Sequence, residues 1–140
     1  MDRQSNSQTL KINIEKIQLK ELKDFVESKT FRQLECIPIT PARVESYIHN
    51  PHGKPDDIVL YLGFVEGQLI AYRSLFAGKT ETKNQTHRFG WCSGNWVHPR
   101  FRRKGYSRQL LQSAYSDWKG KLMFTNYAGE SEKLYVKTGW

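Results

Sequence analysis

The densest chemistry in this sequence lies in Trp96-Val97-His98-Pro99-Arg100-Phe101-Arg102-Arg103-Lys104-Gly105-Tyr106-Ser107, followed at once by a run, Arg108 to Trp118, with helical spacing. It reads as the end of a strand, a basic loop holding one glycine, and a helix that opens at that glycine. The first peptide N–H groups of a helix have no partner within it and sit at the positive end of its dipole. A phosphate placed there is hydrogen-bonded and charge-stabilised together. Gly105 lets the backbone come close to a ligand, and Ser107 is able to cap the helix or donate to the anion. The charges of Arg102, Arg103 and Lys104 add attraction, but exposed pairs are worth only on the order of 0–1 kcal/mol each, so the main-chain amides matter more than the side chains.

This stretch resembles the acyl-CoA-binding segment of the GNAT superfamily of N-acyltransferases, in which a strand ending in Val-x-Pro is followed by Arg/Gln-x-x-Gly-x-Gly/Ala and an amphipathic helix. The matching residues are Val97, Pro99, Arg102, Gly105 and Ser107, then Leu110 and Leu111. Ser107 stands where the family prefers Gly or Ala; it is small enough to leave room for a pyrophosphate. A second segment, Leu134-Tyr135-Val136-Lys137-Thr138-Gly139-Trp140, is similar to the family's Leu-Tyr-x-Lys-x-Gly-Phe. Two motifs in the family's order, with a strand expected between them, say more than either alone.

The resemblance implies an α/β (α+β) GNAT fold: a mixed, mostly antiparallel sheet flanked by helices, with a βαβ crossover carrying the acyl-CoA loop. It implies an acetyl-CoA-dependent N-acetyltransferase that moves an acyl group to a primary amine of a small molecule or peptide, by direct attack in a ternary complex and without a metal. In such a site the main chain of Asn95, Trp96 and Val97 holds the pantetheine arm and carbonyl, and Gly94 just before them suits a bulge or a close backbone approach. Backbone amides of Arg102, Arg103, Lys104, Gly105, Tyr106 and Ser107 take the pyrophosphate. Tyr135 aligns with the tyrosine that protonates the leaving thiolate, a transfer that a thiolate formed in a dry cleft is basic enough to drive. Read from its helix alone, Tyr135 would instead pack beside Leu134. Where many relatives carry an asparagine shortly before this tyrosine, the chain has Ala128; Asn126 and Ser131 are the nearby substitutes for a contact to CoA, and Ser131 also suits a helix cap.

The general base is not legible. Relatives often place a glutamate on the strand before the basic loop, yet Phe89 to Val97 contains no carboxylate. Cys92, Ser93 and Asn95 are too weak unless they hold a water that relays the proton. His98 titrates in the right range but sits on the cofactor side of the loop, which favours a surface role. Glu45 and Glu66 lie toward the acceptor side without a motif to single either out. The region from Pro41 to Asp57, which would shape the acceptor pocket, carries no signature for a particular amine. Other chemistries fail on spacing. Gly78-Lys79-Thr80 lacks the first glycine of a phosphate-binding loop, since that position is Arg73, and His49 and His52 are separated by Pro51 with no third metal ligand evident. Cys36 and Cys92 have no paired spacing.

The elements that must position these residues follow from composition and period. The 140 residues suit one domain, 38% hydrophobic and 26% charged, and a net charge of +8 favours an anionic ligand without choosing among nucleotide cofactor, nucleic acid and acidic membrane surface. The opening is polar, and no apolar run approaches the ~18 residues of a membrane span, so no membrane association, a cytoplasmic location and no glycan at Asn84-Gln85-Thr86 are expected. Residues 1–8 read as a disordered tail and residues 9–140 as a single domain. Leu10, Ile12 and Ile14 alternate as a strand, and Leu22, Phe25 and Val26 mark a helix face. Thr40-Pro41 opens a helix with Val44, Tyr47 and Ile48 inward, stopped at Asn50-Pro51. Ile58–Val65 and Leu69–Phe76 form a hairpin through Glu66-Gly67-Gln68, Gly78 to Arg88 is a polar loop, and Phe89 to Val97 is a strand with Trp91 and Trp96 on opposite faces. The helix after the basic loop buries Leu110, Leu111, Ala114, Tyr115 and Trp118 and ends at Gly120. A strand over Leu122–Tyr127 and a helix over Ser131–Thr138 with Gly139 as cap complete a right-handed parallel crossover.

Family members usually continue past the Gly-Phe segment into two further strands, whereas this sequence stops at Gly139-Trp140. A C-terminally incomplete domain is therefore expected, its strands lying further along a longer chain or supplied by a strand-completing partner or a second copy in a homodimer, because a bare edge invites pairing. Three readings stay in play: an acetyltransferase, a GNAT-fold module that binds acyl-CoA or a partner without turnover, and a nucleic-acid binder stacking bases on Phe101 and Tyr106. The last is the weakest, since the basic residues gather at one helix N-terminus instead of lining a groove.

Overall fold

The computed structural model describes residues 10–81 and 83–124. In chain order it contains β1 (Asn13–Gln18), α1 (Leu19–Val26), α2 (Lys29–Arg32), α3 (Pro41–Ile48), β2 (Ile58–Val65), β3 (Gln68–Glu81), β4 (Thr86–Val97), a 3-10 turn (Pro99–Phe101), α4 (Tyr106–Asp117) and β5 (Leu122–Phe124). The strands lie side by side in chain order. Each neighbouring pair from β1 to β4 is antiparallel, and β4 with β5 is parallel. This is the mixed, mostly antiparallel sheet that the sequence implied, with α4 as the crossover between its two parallel strands. None of the described helices is long and apolar enough to cross a membrane.

Two cores cover the two faces. On one, Leu110, Leu111, Ala114 and Trp118 of the α4 region pack against Tyr61, Ile70, Ala71, Leu75 and Ala77. On the other, Leu22 of α1 and Val44 and Tyr47 of α3 pack against Leu60, Leu62 and Leu69. β2 has neighbours on both edges and helices over both faces, which is why Val59, Leu60, Tyr61 and Leu62 run unbroken as buried apolar residues. Burying Leu110 and Leu111 contributes roughly 2 kcal/mol each. Polar ties fix both ends of α4. The Tyr106 hydroxyl donates to the Leu10 carbonyl (2.6 Å), Trp118 Nε1 donates to the Ile58 carbonyl (3.0 Å), and Tyr61 donates to Asp117 Oδ2 (3.0 Å), which also meets Lys16 Nζ at 2.9 Å.

Several expectations hold closely. Thr40 caps α3, accepting from the Arg43 N–H at 3.3 Å with Pro41 behind it. Glu66 and Gly67, with φ of 50° and 82°, make the two-residue turn between β2 and β3. Gly120, at φ 77°, closes α4 by donating its N–H to the Tyr115 carbonyl at 2.7 Å.

Others are corrected. β1 begins at Asn13, not Leu10, because its register is set by β2, where Asn13 faces Phe64 and Gln18 faces Ile58. Leu10 is 47% exposed. Ser28 caps a short helix, α2, that lacks an apolar period to announce it. The span Gly78 to Arg88 is not a loop: β3 and β4 continue through it, with Thr80 opposite His87, as the arm of a long hairpin. Its polar residues are those of a strand pair in solvent, where ladder hydrogen bonds persist without an apolar face to mark them. Tyr115 is 40% exposed, since about 140° of helical rotation separates it from Leu110 and carries it to the rim of the buried arc. Trp91 and Trp96 share a face. They oppose Phe76 and Tyr72, four residues apart on β3, because Ser93 is an extra residue between Cys92, opposite Leu75, and Gly94, opposite Ser74. Of the strand expected over Leu122–Tyr127 the part Leu122–Phe124 is observed as β5, and its remainder and the helix expected over Ser131–Thr138 lie outside the described residues.

Candidate functional site

β4 delivers its last residues to the opening of α4. The His98 N–H donates to the Ile70 carbonyl at 2.7 Å, holding the exit of the strand against β3. The chain then makes the turn Pro99–Phe101, and His98 Nδ1 caps that turn by accepting from the Arg100 N–H at 3.1 Å. Arg102 folds back, its Nε donating to the Val97 carbonyl at 3.0 Å. Arg103 (φ 64°) and Gly105 (φ 85°) both adopt the left-handed conformation and bend the loop into the helix.

Gly105 is the N-cap of α4 and brings no side chain to its first amides. Those amides open on a cavity of about 530 Å³, lined by Asn95, Trp96 and Val97 from β4, by Phe101, Arg102, Arg103 and Gly105 from the loop, and by Tyr106, Ser107 and Arg108 from the helix. An uncapped helix N-terminus with exposed guanidinium groups around it suits a diphosphate. Of the site residues expected in this region, the cavity gathers all but Lys104, which is exposed and does not line it. The Tyr106 side chain is not offered to the cavity, being 1% exposed and tied to the Leu10 carbonyl. Ser107 is not a cap: its Oγ accepts from Nη2 of Arg73 at 3.2 Å. Arg73, 1% exposed, sets a positive charge beneath the first turn of α4. The sequence reading missed both Arg73 and Arg108; an arginine inside an otherwise apolar strand was the available signal for the first. Tyr135, Asn126 and Ser131 lie outside the described residues.

The bulge at Ser93 is tied down from three sides. Nη1 of Arg43 donates to the Ser93 carbonyl (2.8 Å), Ser74 Oγ lies 3.0 Å from Ser93 Oγ, and the hydroxyl of Tyr47 hydrogen-bonds the same Ser93 Oγ. Gly94 has no space for a side chain, as a Cβ there would lie 2.9 Å from Ser74 Oγ and 3.0 Å from Arg43 Nη1. Burial pushes the Tyr47 phenol above its ordinary pKa, opposed by its hydrogen bonds to Ser74 and Ser93, so it stays protonated at neutral pH. Neither of the carboxylates weighed as a base approaches this network by a described contact. Glu45 is exposed and turned to His49 Nδ1 at 3.5 Å, and Glu66 sits in the β2–β3 turn.

A second cavity, of about 400 Å³, lies at the far end of α4 between Asp57, Arg88, Asp117 and Lys121. Its main charges already pair: Arg88 with Asp57, and Asp117 with Lys16. Among the described residues no group of His, Cys, Asp or Glu is arranged to hold a metal ion.

The sequence matches the acetyltransferase (GNAT) family over residues 21–139. No protein of curated function matches the sequence. Among solved structures, the aminoglycoside N-acetyltransferase AAC(6')-Iy in complex with CoA superposes with a TM-score of 0.59 at 17% identity, covering 95% of this chain and 90% of its own. An acetyltransferase of Trypanosoma brucei gives 0.59 at 16% identity, with 93% and 92% covered. The aminoglycoside 6'-N-acetyltransferase AAC(6')-Ih of Acinetobacter baumannii gives 0.57 at 18%, with 93% and 90% covered. At these identities the likeness is one of fold.

Proposed function

Since the chain belongs to the acetyltransferase (GNAT) family, we propose that it transfers an acetyl group from acetyl-CoA to a primary amine by direct attack in a ternary complex. The observation that carries this reading is the cavity in which the uncapped opening of α4 meets the end of β4. The diphosphate of the cosubstrate sits on the amides around Gly105, flanked by Arg102, Arg103 and Arg108, and the pantetheine arm follows Val97, Trp96 and Asn95 so that the thioester lies beside the bulge.

The neutral amine enters from the α3 side. Its nitrogen forms a bond to the acyl carbon as the carbon–sulfur bond breaks, its surplus proton leaves to water, and the thiolate takes a proton from Tyr135, which is restored from solvent. The hydroxyls of Tyr47, Ser93 and Ser74 orient the bulge; as protonated groups they are donors, not bases. The acceptor therefore has to arrive uncharged, helped by the Arg43 guanidinium at the bulge, which disfavours an ammonium nearby.

A second reading, an acyl-CoA-binding module without turnover, is favoured by the lack of a carboxylate on β4 and by the engagement of His98 as a cap. The nucleic-acid reading loses one of its two stacking groups, because the Tyr106 ring is buried. Thermal unfolding with CoA, acetyl-CoA and an oligonucleotide separates these. A rise in melting temperature with both forms of CoA and none with the oligonucleotide is expected. Release of free thiol from acetyl-CoA with a panel of amines then divides enzyme from binder.

A further inference from the structure

Resting on the acetyltransferase reading, we propose that the acceptor is a monoamine carried on a flat aromatic or apolar body, seated against Tyr72 and Trp96, and that polycationic aminosugars are poor acceptors. The cosubstrate occupies the α4 side of β4, so the amine has to come across the other face of β3 and β4. The register defines what that face holds. Tyr72, Ser74, Phe76, Gly78 and Thr80 on β3 stand opposite Trp96, Gly94, Trp91, Phe89 and His87 on β4. These ten positions contain aromatic rings, small residues, a threonine and a histidine, and no carboxylate.

The rings of this face fall into three groups. Tyr72 and Trp96 stack with centroids 5.7 Å apart and planes 24° apart, Trp96 meets the edge of His98 at 6.0 Å, and Phe76 meets Tyr47 of α3 at 5.1 Å. Phe89 and Trp91 pair further along the hairpin arm at 5.8 Å. Tyr72, Phe76 and Trp96 pack against the α1 and α3 core yet stay half-buried, as do Phe89 and Trp91, whereas on the α4 face of β3 Leu75 and Ala77 are buried almost completely. Aromatic surface left partly open beside the bulge is what a planar apolar ligand would cover, by stacking and by release of water.

The charges point the same way. Arg43 anchors the bulge through Ser93, and it also acts on the Tyr72 phenol: burial raises that pKa, Cys36 adds to the rise and Arg43 opposes it. Cys36 packs in the same cluster as Tyr72 and Trp96, and the Arg43 guanidinium stands at the neighbouring bulge. The carboxylates of the segments packed over this face, Glu21, Asp24, Glu27, Glu35 and Glu45, are all exposed, and none has a described contact with the stacked pair. Glu45 pairs with His49 in solvent, and Glu35 stands beside Cys36, whose thiol it helps to hold neutral after burial. A ligand with four or five ammonium groups requires several facing carboxylates to offset its desolvation, and this surface offers it a cation instead. A single amine needs none, because it reacts in its neutral form.

The test compares tryptamine and 2-phenylethylamine with neamine and kanamycin on the full chain. Thiol release from acetyl-CoA gives kcat/KM, and calorimetry with and without CoA gives binding in case turnover is slow. At least a tenfold preference for the aromatic amines is expected. Tyr72→Leu, outside the cofactor cavity, should raise KM for tryptamine by about tenfold, the loss of a good stacking contact, while leaving the CoA-induced rise in melting temperature unchanged. Neamine or kanamycin used or bound as well as tryptamine overturns the proposal, as does a Tyr72→Leu variant with unchanged KM and affinity for tryptamine. A failure of CoA to bind at all strikes instead at the acetyltransferase reading, and the amine preference measured by calorimetry without CoA still decides this one.

Discussion

The hydroxyl of Tyr47, on α3, hydrogen-bonds the hydroxyl of Ser93, the one residue that β4 inserts into its pairing with β3. Because Ser93 also meets Ser74 at 3.0 Å, and its carbonyl accepts from Arg43, a helix and two strands converge on one inserted residue. The bulge is therefore a fixed joint of the site and not a slack place in the sheet.

The first consequence is energetic. Tyr47→Phe removes a buried hydrogen bond and should cost about 1 kcal/mol, as should Ser93→Ala. The pair is coupled, so the double variant should lose less than the sum of the two by about 0.5–1 kcal/mol. Urea midpoints of the four proteins measure it, and strictly additive losses would show that the two hydroxyls act independently.

At Gly105 the cost of a side chain is conformational rather than steric, since a Cβ there meets nothing within 4 Å while φ is 85°. Gly105→Ala should cost about 1 kcal/mol of stability. It should also loosen CoA several-fold by turning the amides of the first helical turn. Gly105→Asn, which tolerates the left-handed region, should restore most of both; equal losses for alanine and asparagine would argue against a backbone origin.

How far the sequence went is visible at this same loop. The helix opening at Gly105 was legible because a glycine after a basic run has a local meaning that packing does not alter. The hairpin, α3 and its cap were legible for the same reason. What failed was non-local. The insertion at Ser93 alters strand parity only once β3 is its partner, so Trp91 and Trp96 were assigned to opposite faces. Arg73 shows its role only when β3 passes under Ser107. The polar arm from Gly78 to Arg88 has no apolar alternation, and only pairing reveals it as strand.

Salt should separate charge from backbone in cosubstrate binding. Arg103→Gln, which removes an exposed guanidinium lining the cavity, should weaken CoA about two- to fivefold at low ionic strength. The difference should fade toward 1 M salt, where the screening length falls to about 3 Å. Titrations of both proteins at several salt concentrations give the two slopes, and parallel slopes would count against a charge contribution from this side chain.

Stability should fall at alkaline pH. Burial, with the neighbouring Asp117 charge, raises the Tyr61 phenol well above its ordinary range, and burial raises Tyr47 and Tyr106 as well. The folded state then holds protons that the unfolded state releases from about pH 10, so unfolding free energy is full below that pH and declines above it. Tyr61→Phe should flatten the decline in denaturant midpoint between pH 9.5 and 11, roughly the range where free phenols ionise. An unchanged slope would assign the alkaline loss to other groups.

The insertion at Ser93 has one more effect, on the division of labour along a single strand. In a chain one residue shorter, β4 could still zip to β3, but everything from Gly94 onward would be out of phase with the rest. Trp96 and Asn95 would trade faces, taking the indole off the Tyr72 ring and turning the carboxamide away from the face that Arg73 occupies. An offset of one residue thus keeps Trp91 and Trp96 on one face of a single ribbon of backbone and Asn95 on the other.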